Sequence, residues 1–145
     1  MLRATAQPDP TADRGGHVFT YSLLPHEGDF FAGNVIQEAY ALNVPLIAAQ
    51  TRRKDAPVSW LSVDAPNVIV ETIKPAEKEP GAIVRLYEAA NRFTRCALTG
   101  AFDRVVETDL NESPVAKESH CSGRVTATFK PFEIKTYRVR TSKGG

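Results

Sequence analysis

Two carboxylates set either side of a glycosidic bond can hydrolyse it, one acting as acid and the other as base or nucleophile. This sequence offers Asp9, Asp13, Glu88, Glu107 and Asp109 as candidates. The separation that distinguishes retaining from inverting chemistry is a distance in space, so spacing along the chain selects none of them. Glu88 differs from the rest. It closes the alternating run Ala82-Ile83-Val84-Arg85-Leu86-Tyr87-Glu88 on the side of Val84 and Leu86, while Arg85 falls on the opposite face. A carboxylate directed at an apolar layer must find a polar partner there. Structural pairing is therefore favoured over catalysis for Glu88.

Histidines and cysteines are the other chemistry-bearing types. His17, His26 and His120 are dispersed, and none has a second ligand at zinc-site spacing. The turn His26-Glu27-Gly28-Asp29 packs three polar side chains together. A metal or sugar site is conceivable there, but a hydrogen-bonded loop cap is the favoured reading. Cys96 lies in an alternating stretch, away from any helix N-terminus that would lower its pKa, and reads as a buried, inert thiol. Cys121, in Ser119-His120-Cys121-Ser122, reads as a more exposed loop residue. Two cysteines allow one bridge but make no disulfide framework, and reduced thiols are expected. No G-x-S-x-G, P-loop, G-x-G-x-x-G or helix-turn-helix pattern occurs. Arg52-Arg53-Lys54 is a short basic run beside Asp55, with no aromatic platform for bases.

The elements that must position these residues are mostly strands. The chain has 145 residues, 42% hydrophobic and 24% charged, with a net charge of +1. That composition suits one globular domain and excludes disordered and collagen-like chains. No field of one sign exists to gather nucleic acid or an anionic membrane. No window approaches the ~20 apolar residues of a membrane helix, and residues 1–16 lack a signal-peptide core, so a cytoplasmic chain is expected. Residues 17–25 alternate, with His17, Phe19, Tyr21 and Leu23 on one side, and predict a strand ended by Pro25. Val35, Ile36, Ala39 and Tyr40 fall at helical spacing. They predict a short helix near residues 31–43, opening at Phe31 and stopped at Asn43 ahead of Pro45. From residue 59 onward, short alternating runs separated by turns predict an antiparallel sheet pair. Pro131 fits a strand that bends or changes sheet, since proline cannot donate to a ladder. The predicted fold is mainly β: an antiparallel β-sandwich with one short helix. The predicted organisation is an irregular lead-in at 1–16, a single sandwich domain at 17–140 and a flexible tail at 141–145.

Four segments, taken together, carry a resemblance. They are Leu2-Arg3 with Pro8-Asp9-Pro10-Thr11-Ala12-Asp13-Arg14-Gly15; the long run from His17-Val18-Phe19-Thr20-Tyr21 through Pro25-His26-Glu27-Gly28-Asp29 into Val35-Ile36-Gln37-Glu38-Ala39-Tyr40; Val84-Arg85-Leu86-Tyr87-Glu88-Ala89; and Pro131-Phe132-Glu133-Ile134-Lys135-Thr136-Tyr137. In them the chain resembles the C-terminal β-sandwich region of α-mannosidases of glycoside hydrolase family 38. It departs from the family at Ala90-Asn91-Arg92, where His-Gly is usual after the third segment.

The resemblance implies a retaining, exo-acting α-mannosidase as parent. Its zinc ion and nucleophilic aspartate belong to an N-terminal catalytic domain, and this chain corresponds to the last part. The family's zinc and nucleophile motifs have no counterpart here, so no residue is carried over as nucleophile, acid or metal ligand. The chain itself is expected to hold no cofactor and to turn over no substrate alone. The segment of Leu2-Arg3 and Asp13-Arg14-Gly15 approaches the substrate pocket in relatives, which implies sugar binding by Arg3, Asp13 and Arg14. A guanidinium fork can donate to two hydroxyls at once. Expected partners are the remaining domains of the parent α-mannosidase and a mannose-containing oligosaccharide. A homo-oligomer is allowed, and neither nucleic acid nor membrane is expected. Two rival functions stand beside this one: a free carbohydrate-binding module using Trp60, Phe30 or Phe31, and a protein-interaction domain marked by an exposed apolar patch.

Overall fold

Alternation with period two places every second side chain on one face of a strand, so two such faces can close over a shared core. A computed structural model describes residues 7–12, 14–44, 46–48, 50 and 59–141. Within it, the stretch from Leu61 folds into eight strands: β1 (Leu61–Val63), β2 (Val68–Pro75), β3 (Ala82–Glu88), β4 (Thr94–Gly100), β5 (Arg104–Thr108), β6 (Ser119–His120), β7 (Arg124–Phe129) and β8 (Ile134–Arg140). They form a three-stranded sheet in the order β1-β4-β7 and a five-stranded sheet in the order β2-β3-β8-β5-β6. All pairings are antiparallel. The inward faces meet in one core built around Val68, Val84, Leu86, Cys96, Leu98, Phe102, Val105, Ala127, Phe129, Tyr137 and Val139. This is the predicted β-sandwich.

Pro131 acts as expected. β7 lies in the small sheet and β8 in the large one, and residues 130–133 carry the chain between them. Phe132 in that turn has φ 57, a left-handed conformation that a bulky side chain rarely adopts. The predicted loop at 109–123 holds the two-residue strand β6, which pairs with Arg104 and Val105. Two residues are too few to show a period, which is why the sequence reads as loop there.

The chain divides into two compact units, Met1–Ala48 and Ala49–Gly145. The sandwich belongs to the second. In the first, α1 spans Val35–Asn43, while Phe31 to Asn34 form a turn, so the predicted helix is shorter by its opening residues. Asp29 explains that turn. Its Oδ1 accepts the amides of Phe31 at 3.0 Å and Ala32 at 2.8 Å, and its backbone carbonyl accepts Gly33 N–H at 2.9 Å. The strand predicted at residues 17–25 is not formed. Residues 16–26 are irregular and their side chains are exposed. A strand exists only with a ladder partner, and among the described residues none pairs with this segment.

Candidate functional site

The residues implied to touch sugar are placed only in part. Arg3 and Asp13 lie outside the described residues. Arg14 is exposed, and its amide donates to Thr11 O at 3.2 Å. The turn before it is organised by Asp9, whose Oδ1 accepts both Thr11 N–H at 2.8 Å and Thr11 Oγ1–H at 2.7 Å. The Thr11 hydroxyl, and then its amide, hold the Asp9 carboxyl below its ordinary range. Glu107 and Asp109, the other candidates on the sandwich besides Glu88, have partners of their own. Glu107 Oε1 pairs with Lys135 Nζ at 2.7 Å. Asp109 Oδ1 accepts the amides of Asn111 and Ser113 at 2.9 and 2.8 Å.

Glu88 is the best-built polar site of the sandwich. It is 0% exposed and ends β3 on the core side, as its place in the alternation predicts. Oε1 accepts Asn67 Nδ2–H and Ala90 N–H, each at 2.7 Å. Oε2 accepts Phe132 N–H at 3.0 Å and Arg92 N–H at 3.2 Å. Asn67 also donates to Thr94 Oγ1 at 2.7 Å, which fixes its amide orientation. Burial pushes the Glu88 carboxyl up, but the hydrogen bonds from Asn67, Phe132, Ala90 and Arg92 outweigh it and leave the pKa below the ordinary value. One ionised group thus joins three loops at one end of the sandwich: those following β1, β3 and β7. Among the described residues no cation pairs with it, and it has no open face toward solvent. Its chemistry is structural.

A second polar cluster sits where the loop after β5 meets β2 and β3. Glu112 is buried with φ 65, and its Oε1 lies 2.5 Å from Lys74 Nζ while Oε2 accepts Glu77 N–H at 2.8 Å. Lys78 and Arg85 donate to the carbonyls of Asn111 and Leu110. The Lys74 ammonium and the Glu77 amide hold Glu112 below its ordinary pKa. Sequence reasoning missed Asn67, Thr94, Lys74 and Glu112, because their partners lie 21 to 38 residues away and no local pattern marks them.

The aromatic platforms divide. Phe30 and Phe31 pack on each other with ring centroids 4.1 Å apart, so their faces are partly taken. Trp60 is 40% exposed and borders a cleft of about 490 Å³ with Phe102, Gly81 and Arg140. Arg140 is tied to Glu118 through two bonds of 2.9 and 2.6 Å. Both cysteines are free. Burial raises the Cys96 thiol, with Asp64 adding to it, and burial raises Cys121 as well, so neither is activated.

Residues 67–137 match the family model described as "Glycosyl hydrolases family 38 C-terminal beta sandwich domain". That span opens at Asn67 and holds β2 to β7 and half of β8, the region that Glu88 ties together. The chain carries a C-terminal β-sandwich domain of glycosyl hydrolase family 38 at residues 67–137. It is 39% identical to human Alpha-mannosidase 2C1 over 143 residues, which cover 92% of this chain and 14% of the relative. Similarity to Alpha-mannosidase 2C1 of Mus musculus is 39% over 145 residues, and to Alpha-mannosidase G of Dictyostelium discoideum 34% over 150, again across 14% of each relative. The family 38 chain therefore spans about one seventh of the length of the curated relatives it matches. Among its described residues no group of three His, Cys, Asp or Glu side chains could hold a metal ion, so the described residues do not fit a zinc site. No described helix is long and apolar enough to cross a membrane.

Proposed function

We propose that this domain is the C-terminal β-sandwich of a retaining, zinc-dependent α-mannosidase that removes terminal α-mannose. It supports the catalytic domains, and Arg3, Asp13 and Arg14 border the substrate pocket. The zinc ion, the nucleophile and the acid belong to other domains of the parent, and the enzyme works in the cytoplasm. The observation that carries this reading is the match over 92% of the chain to α-mannosidases about seven times its length. The interior chemistry is in keeping with it: Glu88, Glu107 and Glu112 are held by backbone amides, an asparagine and lysines in ways that build the domain.

The test is turnover of an aryl α-mannoside by the purified chain, with and without zinc, and again after co-expression with the remaining domains of the parent. No hydrolysis by the chain alone and zinc-dependent hydrolysis by the assembled protein are expected. Clear zinc-dependent hydrolysis by the isolated chain overturns the division of labour. Replacement of Arg14 by Ala in the assembled enzyme is expected to raise KM with little change in folding.

A further inference from the structure

The polar cluster beside β2 and β3 holds more positive charge than its carboxylates neutralise. Thr72 pairs with Arg85 and Lys74 with Ile83, so Lys74 and Arg85 are neighbours on the face of the large sheet turned away from Val84 and Leu86. They border a cleft of about 580 Å³ whose lining carries three cations, Lys74, Lys78 and Arg85, and two carboxylates, Glu77 and Glu112. Both carboxylates are bonded to Lys74. Among the described residues no carboxylate pairs with Lys78 or Arg85. Their acceptors are uncharged. Lys78 Nζ donates to Asn111 O at 3.0 Å, Arg85 Nη2 to Leu110 O at 3.2 Å and Arg85 Nε to Thr136 Oγ1 at 3.2 Å. A guanidinium has five N–H donors and an ammonium three. Two are used on Arg85 and one on Lys78, which leaves three and two.

The local structure holds these two cations together. Leu110 and Asn111 are consecutive, so their carbonyls bring both cationic ends to one short stretch of backbone. Glu112 comes next, buried and at φ 65, a conformation that persists only where the surroundings over-determine it. One of its oxygens takes Lys74 and the other takes the amide of Glu77, the residue before Lys78. A single carboxylate thus neutralises Lys74 and fixes the loop that carries Lys78. We infer that this cleft binds a phosphate group, free or as the monoester of a small polyol, through the Arg85 fork and the Lys78 ammonium. A guanidinium fork meets phosphate oxygens in pairs, and a lysine adds a point charge. A phosphate carries close to two negative charges at pH 7 and so meets both cations, whereas a carboxylate meets one. The cleft is of the size that takes small molecules, with room for a polyol beside the phosphate. Asn111 and Ser113 on its lining add an amide and a hydroxyl for such a group.

Calorimetric titration of the chain tests this, with inorganic phosphate, glucose 6-phosphate and glucose as probes and sodium chloride holding the ionic strength constant. Saturable heat is expected with both phosphates at millimolar ligand, and none with glucose. Lys78→Gln should weaken phosphate binding by about 10-fold, the loss of one charge-assisted contact, and Arg85→Gln by at least as much. Lys78 is exposed, so Lys78→Gln should melt with wild type when phosphate is absent. Arg85 also anchors to Thr136, and if Arg85→Gln does not fold, Lys78→Gln alone decides. Glucose 6-phosphate binding about 10-fold or more tighter than inorganic phosphate supports a site for a phosphate ester; equal binding supports a site for the free ion. No saturable heat with either phosphate, heat matched by sodium chloride alone, or phosphate binding unchanged in Lys78→Gln overturns the inference and leaves the domain's family role standing.

Discussion

Replacing Glu88 by Gln keeps the shape of the buried group and changes only its hydrogen-bond sense. The carboxylate accepts four donors, two on each oxygen. Glutamine has one acceptor oxygen and one NH₂, so one pair of donors must face a donor. If the oxygen stays at the Oε1 position, the amides of Arg92 and Phe132 are orphaned. If it takes the Oε2 position, Ala90 N–H is orphaned, and Asn67 can adapt only by giving up its bond to Thr94 Oγ1. Each buried unsatisfied donor costs about 1–3 kcal/mol. We expect Glu88→Gln to lose ~3 kcal/mol, which lowers Tm by about 10 °C for a chain of this size. Differential scanning calorimetry with urea denaturation at pH 7 measures it. The acid limb supplies a second reading with a defined sign. The folded-state pKa of Glu88 lies below its unfolded value, so its contribution is present above that unfolded value and is lost as pH falls through the folded one. Glutamine does not titrate. The stability gap between wild type and Glu88→Gln should therefore be widest near neutrality and narrow below about pH 4. A Tm within about 2 °C of wild type at pH 7, or a gap that widens in acid, would refute the four-donor account.

Two other substitutions read the fold with opposite signs. Leu86 is 0% exposed between the sheets, and Leu86→Ala should cost about 2–5 kcal/mol in urea unfolding, the range for a partly collapsed cavity. Phe132 is held at φ 57 and is 62% exposed. Phe132→Gly keeps the amide that Glu88 needs and removes the strain, so it should stabilise by about 0.5–1 kcal/mol despite the entropy of glycine in the unfolded chain. A loss of stability on that change means that the ring is packed rather than strained.

The sandwich was legible because burial on one face imposes alternation, and β3 shows it from Val84 onward: Val84, Leu86 and Glu88 are buried, while Arg85 and Tyr87 between them are only partly so; Ile83, on the other face, is buried as well. The sheet switch at Pro131 was legible for a covalent reason, the missing donor. Glu88 was legible as a buried acid needing partners, yet the partners were not, since three of its four donors are backbone amides, which every residue has. The same limit hid Glu112, whose loop looked merely polar. Residues 17–25 mislead in the opposite direction. Their alternation predicts a strand, but a ladder takes two strands, and among the described residues none pairs with this segment. Cys96 needed only its parity within the alternating run to be placed in the core.

The position of β8 sets the order in which the domain can be made. It is last of the described strands, yet it lies at the centre of the five-stranded sheet, between β3 and β5. A ribosome releases about 5–20 residues each second, so β2, β3 and β5 emerge and wait with their apolar faces uncovered until residues 134–140 leave the exit tunnel. The Phe132 amide that completes the Glu88 site arrives in the same interval. A stop codon ahead of Ile134 would thus remove the joint between the two parts of the sheet instead of trimming its rim. Frameshifts late in the message should yield aggregation and clearance by proteases, and a nascent chain paused before β8 should be a client for chaperones.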